Sequence, residues 1–542
     1  MSAPIVPTST QTLLDLLLQE QGKLSAVDRF SNWHESHSIA ASTYRDLMPV
    51  TSLKSGQQYA FEVDLDACSG CKACVVACHT LNGLEESETW RKVGALSSQS
   101  LSALPIVQHV TTACHHCVDP GCLNGCPVQA YEKDPLTGIV RHLDDQCFGC
   151  KYCTMMCPYE VPQYSSTLGI VRKCDMCSQR LGVGEAPACV QACPNQAIRI
   201  AIVDMAMVVS DARLSSAQDS LVATSPLSRI TVPTTKYVSK QLPEATKELA
   251  SNESIVDTAQ EGHPPLVAMI VLTQASVGMW IVIAAVPWMG MGMGRDNFFA
   301  VALATVVGIV GVHAALLHLG RPWLAYRAFL GWRTSWLSRE AIGFGLFLGV
   351  AAGSVGCKLL LGINTDTVSL HVADTLVAVV GAAAVMCTGM IYIATRRELW
   401  GFWRTSIDFG LSTIGLGLVG GYSSLDGLPV SMLLMGVLCT IGAGVAKLVD
   451  HSRGRSGNNR WDDFSARSGR ILRTELVKPW AILLLLHFIS LAFAISMVVT
   501  YSKSQIAFLP FAIFANCLAA QAVHRWIYFA SVVYRRMPGA RS

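Results

Sequence analysis

Charged side chains are scarce in this chain. Asp, Glu, Lys and Arg make up 15% of its 542 residues, against about 25% in ordinary soluble domains, whereas hydrophobic residues make up 51%. The charges nearly cancel, at a net +3, so nothing favours binding to nucleic acid. This composition argues against a single soluble domain and indicates several domains with membrane-spanning segments.

Cysteine is almost absent outside one region, because 16 of the 20 cysteines lie between Cys68 and Cys193. A recognisable export signal is also missing. The stretch from Met1 to Asp15 has no basic region, no twin-arginine pair and no long apolar core. We therefore expect a reducing compartment, where dense cysteines favour metal ligation over disulfides.

Changes in composition divide the chain into four segments. Residues 1–58 have near-helical leucine spacing and predict a helical extension. Residues 59–204 hold the clustered cysteines between short strand-like runs, and residues 205–265 are polar and rich in Ser, Thr and Pro, which predicts an extended linker. Residues 266–542 consist mainly of apolar stretches near the roughly 20 residues that cross a bilayer as a helix.

The apolar stretches predict an all-α membrane bundle of about eight transmembrane helices. The predicted spans are Leu266–Trp288, Phe298–Leu319, Ala341–Leu361, Val372–Thr395, Ile407–Tyr422, Pro429–Leu448, Pro479–Tyr501 and Ile506–Val533. Lys and Arg accumulate on the cytoplasmic side of membrane proteins. Eighteen of them fall on one side of these spans against three on the other. We therefore expect a multi-pass protein of the cytoplasmic membrane whose cysteine-rich domain faces the cytoplasm.

The clustered cysteines form four groups with ferredoxin-like spacing. The first is C-x2-C-x2-C-x3-C, and a proline follows the last cysteine of each of the other three. Closely spaced thiolates surround a 4Fe–4S cubane while the trailing cysteine ligates a neighbouring cluster. A zinc array is the alternative, but it would not require the trailing Cys-Pro. We predict an α+β ferredoxin-like domain carrying four 4Fe–4S clusters.

Residues 59–204 resemble the four-cluster iron–sulfur subunit of the dimethyl sulfoxide reductase family of molybdoenzymes. In that family the first cysteine group pairs with the fourth, and the second pairs with the third. The resemblance implies four ligand sets: Cys68, Cys71, Cys74 and Cys193; Cys174, Cys177, Cys189 and Cys78; Cys114, Cys117, Cys122 and Cys157; Cys147, Cys150, Cys153 and Cys126.

The apolar half resembles the membrane anchor subunit of the same enzymes. This likeness rests on the run from His318 to Pro322, continued by Arg327 and by the segment from Ser335 to Glu340. It implies oxidation of menaquinol without haem, with the motif histidine at the quinol site. For this chain we expect either menaquinol or ubiquinol as the membrane substrate. Two features depart from the family. The two subunits are fused, and the best-known relatives face outward.

A quinol site needs a hydrogen-bond partner and a proton acceptor near the membrane surface where the electrons leave. We therefore expect a site that includes His318, Arg327, Arg339, Glu340 and the intramembrane Arg525. Roles that do not involve quinol also stay open for two of these residues. His318 could cap a helix end, and Arg525 could snorkel to the membrane surface or contact a lipid phosphate.

Haem is a weaker alternative, because it requires two axial histidines that face each other. The candidates are His313, His318, His487 and His524. His313 and His318 are five residues apart, so they do not share a helix face.

No G-x-G-x-x-G fingerprint opens a helix, and no segment is large enough for a molybdopterin domain, so terminal chemistry belongs to a partner. The sequence predicts an electron-transfer and anchor subunit that oxidises quinol and reduces a molybdopterin-containing catalytic subunit, in contact with the quinone pool and membrane lipid. Two alternatives remain. The partner could be a dehydrogenase that feeds quinone, or the anchor could translocate ions, for which Glu340, Asp374, Asp408 and Glu475 are the acids near spans.

Overall fold

The computed structural model describes residues 44, 46–98, 107–214, 220–240, 249–251, 258–290, 297–361, 368–453, 464–500 and 508–539. The helical extension predicted within residues 1–58, including the leucines from Leu13 to Leu24, lies largely outside the described residues. The described chain forms a cysteine-rich α+β unit followed by a helical bundle.

Short strands and short helices alternate in the α+β unit. The strands are β1 Gln57–Asp64, β2 Lys92–Ser98, β3 Val107–Thr112, β4 Tyr131–Lys133, β5 Val140–His142, β6 Gln163–Ser165, β7 Ile170–Arg172, β8 Ile198–Asp204, β9 Lys236–Val238 and β10 Leu249–Ser251. One sheet has the order β8-β1-β9, a second has β10-β2-β3, and β4-β5 and β6-β7 form two ribbons. The helices are α1 Ala73–Leu81, α2 Gly121–Gly125, α3 Tyr152–Met156, α4 Ser178–Gly182, α5 Ala188–Gln191 and α6 Met205–Leu214.

The structure differs from the expectation of an extended linker after residue 204. Strand β9 joins the first sheet parallel to β1, and β10 joins the second sheet antiparallel to β2. Between these strands and α6, Thr234 Oγ1 donates to His115 O at 2.8 Å, and Thr235 Oγ1 lies 2.9 Å from His115 Nδ1. The segment is polar because its hydroxyls satisfy buried groups of the α+β unit, whose backbone would otherwise lack partners.

The bundle contains nine described α-helices. They are α7 Pro264–Trp288, α8 Asn297–Ala314, α9 Trp336–Leu361, α10 Val368–Ile393, α11 Phe402–Ser424, α12 Val430–Arg453, α13 Phe464–Thr474, α14 Val477–Thr500 and α15 Leu509–Ala530. Among the described residues, five helices are long and apolar enough to cross a membrane: Pro264–Trp288, Phe298–His318, Trp336–Leu360, Val368–Ile393 and Val477–Val499. Helix α7 is central and packs against α8, α10, α11 and α15.

The connection from α8 to α9 binds the α+β unit through backbone groups. Arg321 N donates to Phe148 O at 3.0 Å, and Gly331 N donates to Pro127 O at 2.7 Å. At Gly320 the two backbones approach so closely that an added Cβ would lie 2.0 Å from Gly169 O. This approach requires glycine at position 320.

The end of the chain returns to the α+β unit after the last helix. Met537 is 1% exposed and belongs to the same hydrophobic cluster as Phe61 and Val110. Next to it, a Cβ on Gly94 would lie 2.1 Å from Gly539 N. The N-terminal unit and the C-terminal tail therefore lie on the same side of the bundle.

We expect Gly320→Ala to weaken the junction between the two halves, since the new methyl group would meet backbone that cannot move aside. Overpacking of this kind costs about 1–3 kcal/mol. The variant should lower the thermal unfolding midpoint in detergent and speed proteolysis between the halves. Gly345→Ala is the matched control, because nothing lies within 4 Å of its Cβ position. Equal midpoints for the two variants would contradict the described junction.

Candidate electron-transfer site

The same local turn occurs in all four cysteine groups. The residue before the second cysteine has a left-handed backbone in each case: Gly70, His116, Gly149 and Met176, with φ of 72°, 40°, 74° and 60°. The third cysteine of each group then lies in one of the short helices α1, α2, α3 and α5. A left-handed residue is costly for a side chain other than glycine, so the surrounding structure must hold it in place.

A second turn follows each Cys-Pro pair. The third residue after the last cysteine is left-handed in these three groups: Gln129, Glu160 and Gln196, with φ of 54°, 53° and 51°. This turn brings backbone N–H groups back to the sulfur, as where Ala130 N donates to Cys126 Sγ at 3.2 Å and Ala197 N donates to Cys193 Sγ at 3.3 Å. Such bonds tune the potential of a cluster bound to the sulfur.

The thiols lie beside those of the paired group. Cys68 is within electrostatic range of Cys74, Cys193 and Cys71. The corresponding neighbours of Cys78 are Cys189 and Cys177 of the fourth group together with Cys74 of its own group. Those of Cys117 are Cys114 and Cys157, and those of Cys150 are Cys126 and Cys147. The structure therefore brings together members of each of the four implied ligand sets.

A cavity separates the thiols of one of these sets. It has an empty volume of about 350 Å³, and its lining includes Cys114, Cys117, Cys122 and Cys157. Among the described residues, no three His, Cys, Asp or Glu side chains are arranged to hold a single metal ion. Cubane ligands need no such convergence, because each thiolate binds a different iron. The soft donors and the space between them fit a 4Fe–4S cluster.

Buried cations stand among the thiols. Arg91 is 1% exposed, and although burial lowers its pKa, nearby thiols led by Cys189 raise it more, so it stays charged. Lys173 Nζ lies 3.7 Å from Cys114 Sγ. Burial, followed by Cys189, raises the pKa of the Cys78 thiol to about 12. Forming thiolates here therefore requires the positive charge of iron as well as these two side chains.

The cysteine loops of the middle pair meet the membrane anchor directly. His318 Nε2 lies 3.1 Å from Cys150 O, and its Nδ1 lies 3.0 Å from Ala315 O. A neutral imidazole donates one of these bonds at a time, whereas a protonated one donates both. On the neighbouring loop, Ser335 Oγ donates to Gly125 O at 2.7 Å. The contact thus pairs backbone carbonyls of the cysteine loops with donors of the anchor.

The five residues expected at a quinol site do not form one cluster. Arg327 donates to Asp145 O at 3.4 Å, and Arg339 donates to Trp332 O at 3.0 Å, both at the outer surface of the junction. Glu340 is buried between α9 and α10, where Thr388 Oγ1 donates to its Oε1 at 2.7 Å. Of these five described residues, only His318 places its side chain on the backbone of a cysteine.

Arg525 belongs to a buried polar network inside the bundle. It is 0% exposed, and its Nη1 donates to Asp408 Oδ2 at 2.9 Å. His524 Nε2 lies 3.6 Å from the other Asp408 oxygen, and Ser412 Oγ donates to Gln521 Oε1 at 2.9 Å. A charge buried this deeply requires such a partner, which sequence reasoning did not assign. The opposite sign of Asp408 on a neighbouring span was the available signal.

The chain matches two family models. Residues 106–202 match a 4Fe-4S dicluster domain. Residues 260–531, about half of the chain, match the DMSO reductase anchor subunit (DmsC). The iron–sulfur part and the anchor part thus match separately, in this order along one polypeptide.

Three curated proteins are similar to the iron–sulfur half. The Hydrogenase-2 operon protein HybA of Escherichia coli O157:H7 is 36% identical over 25% of this chain and 49% of its own length. The probable anaerobic dimethyl sulfoxide reductase chain YnfG of Escherichia coli K12 is 33% identical over 32% of this chain and 83% of its own length. The thiosulfate reductase electron transfer subunit PhsB of Salmonella typhi is 36% identical over 27% of this chain and 77% of its own length. The chain thus spans about half of HybA and more than three quarters of the other two.

Loss of two thiols that line the cavity should remove one cluster. We expect Cys117→Ser/Cys122→Ser to lower iron and acid-labile sulfide from about sixteen to about twelve per chain in anaerobically purified protein. Cys357→Ser is the control, since Cys357 is exposed in the bundle, away from the cysteine groups. Stoichiometric zinc with little sulfide in the unaltered chain would contradict the iron–sulfur assignment.

Proposed function

Because this chain belongs to the family of dimethyl sulfoxide reductase anchor subunits, joined to an iron–sulfur domain similar to the reductase chain YnfG, we propose that it oxidises membrane quinol. In this proposal it passes the electrons through four 4Fe–4S clusters to a separate molybdopterin-containing catalytic subunit. The substrate is menaquinol or ubiquinol, and no haem takes part. Bound clusters would accept and donate single electrons, while the chain holds them in sequence.

The sixteen grouped cysteines are the proposed cluster ligands, in the four sets implied by the resemblance. The pairing is supported by the neighbouring thiols of each set and by the cavity lined by Cys114, Cys117, Cys122 and Cys157. Arg91 and Lys173 offset the negative charge of the thiolates, and N–H groups directed at sulfur stabilise it further.

One observation carries the proposed quinol reaction. His318, at the end of the second span, lies 3.1 Å from the carbonyl oxygen of Cys150. A headgroup bound at this membrane face is therefore beside a proposed cluster of the middle pair, and electrons need not cross the bundle. Of the five residues expected from the sequence at a quinol site, His318 is the one whose side chain contacts the backbone of a cysteine. Arg327 donates across the junction to Asp145 O, Arg339 donates to Trp332 O within the anchor, and Glu340 and Arg525 lie in buried polar pairs.

The proposed topology has eight spans, with both chain ends and the iron–sulfur domain in the cytoplasm. Since Met537 packs in the core of the α+β unit, which precedes the first span, the chain must cross the membrane an even number of times. Five crossings would be odd, so at least one further helix must cross. The helices α11, α12 and α15 bring the total to eight. Arg321, on the basic side, also donates to Asp144 O of the cysteine-rich unit.

We expect a naphthoquinol, added anaerobically, to reduce the clusters of the purified protein. The reduction is measured by electron paramagnetic resonance. His318→Ala should keep all four clusters but slow this reduction at least about tenfold, since the link at Cys150 is lost. Dithionite should still reduce the variant fully. If quinol leaves the unaltered protein oxidised while dithionite reduces it, the proposed quinol reaction is wrong.

Topology can be measured with fusions. Alkaline phosphatase fused after Ser542 should be inactive and a fluorescent protein there bright, because the basic loops and both ends lie inside. A chain truncated after Arg295, in the first loop on the side with few Lys and Arg residues, and fused to the same reporters should give the opposite result. There the phosphatase should be active and the fluorescent protein dim. An active phosphatase at Ser542 would place the iron–sulfur domain outside the cytoplasm.

A further inference from the structure

A second cavity lies where the α+β unit meets the ends of the membrane helices. Its empty volume is about 690 Å³. Four parts of the chain form its wall, namely the stretch from Thr154 to Pro162, the residues just before α7, the turn between α10 and α11, and the tail that follows α15. It is distinct from the cavity among the thiols, and no residue expected at a quinol site lines it.

One wall of this cavity carries polar groups. His263 immediately precedes the first span, and its Nδ1 lies 3.9 Å from Glu261 Oε2, beyond hydrogen-bond distance. Arg397 lies over the Tyr534 ring, with its Cζ 3.9 Å from the ring centroid. The Tyr534 hydroxyl in turn hydrogen-bonds the Glu160 carboxylate. Imidazole, guanidinium and phenol groups therefore face one space.

The other wall is aromatic. Trp400 and Phe529 line the cavity, and Trp400 stacks on Tyr528 with an interplanar angle of 11°. The ring of Phe529 also meets the His263 ring edge-on, at a centroid distance of 6.1 Å. Flat aromatic surfaces beside polar groups at a membrane boundary suit a planar ring that carries polar oxygens.

The position relative to the cysteines supports the same ligand. Thr154 directly follows Cys153, and Glu160 comes three residues after Cys157. These cysteines belong to two different implied ligand sets, so the cavity lies against the chain that joins both proposed clusters of the middle pair. His318 contacts Cys150 in the same cysteine group.

We propose that this cavity binds the quinol headgroup, with His263 and Arg397 contacting its two oxygens. The inference rests on the proposed quinol reaction and names its binding site. Oxidation breaks both O–H bonds of the diol and releases two protons and two electrons. The two neighbouring clusters, when bound, would accept the two electrons, one each. His263 accepts the protons in turn and passes them to exposed Glu261 and then to water. Burial, together with nearby His318, Lys151 and Arg397, lowers the pKa of His263, so its imidazole is neutral and able to accept.

The test uses two variants of the full chain, His263→Ala and Arg397→Gln. His371→Ala is the matched control, because His371 lies at the opposite end of α10 from Arg397. Binding of an alkyl-hydroxyquinoline N-oxide, a fluorescent quinol analogue, is measured by fluorescence quenching. Each variant should weaken this binding at least about tenfold, as expected for a lost hydrogen bond to a charged or imidazole partner. The control should bind as the unaltered chain does.

A second readout separates this inference from the proposed function. Naphthoquinol should reduce the clusters of the unaltered chain and of His371→Ala, but only slowly those of the two cavity variants, while dithionite reduces all four proteins. If quinol reduces none of them, the proposed function fails. If quinol reduces the cavity variants at the unaltered rate and the analogue binds normally, the cavity assignment fails. The cavity variants could instead lose copurified phospholipid while their rate of reduction by quinol and their affinity for the analogue stay unaltered. That result would identify a lipid site and overturn the inference.

Discussion

Backbone carbonyls of two cysteine loops accept hydrogen bonds from the segment between the second and third membrane helices, and the relation between the two halves depends on these bonds. Their availability follows from the cysteine loops themselves. The loops direct N–H groups inward to sulfur, as Ala130 does to Cys126. Their C=O groups consequently face outward and need partners, since unpaired buried carbonyls are costly. Arg321 N, Gly331 N and Ser335 Oγ supply those partners.

This contact gives the four proposed clusters an order. The described bonds to the anchor fall on the loops of the second and third cysteine groups, at Gly125, Pro127, Phe148 and Cys150. Under the implied pairing, these groups hold the two clusters nearest the membrane. The first and fourth groups then hold the clusters that lie farther from the membrane. Arg91 and Lys173 lie among the thiols of the two pairs and lower the cost of placing negative clusters close together.

The sequence predicted the class of this molecule because its strongest signals are local. Cysteine spacing and the run from His318 to Glu340 indicated the two families, and the family matches confirm that resemblance. Apolar runs located the helices, because hydropathy needs no tertiary information. Left-handed turns at Gly70 and Gly149 had a glycine to signal them, whereas those at His116 and Met176 had none. Contacts between distant segments, such as Asp408 with Arg525 or Tyr534 with Glu160, left no local pattern. The packing of residues 220–240 on the α+β unit was not predicted. Threonines that hydrogen-bond buried groups give this segment the same polar composition as a solvent-exposed linker.

The burial of Met537 in the α+β core has a consequence for biosynthesis. The ribosome releases the cysteine-rich unit first and the tail last, with every membrane helix made in between. Until the tail emerges, the core around Phe61 and Val110 lacks one of its members, and the surface at Gly94 is uncovered. The unit made first is therefore the last to be completed. Between synthesis of the α+β unit and synthesis of the tail, the ribosome makes the whole anchor. During that interval the part of the α+β core that the tail will cover remains exposed.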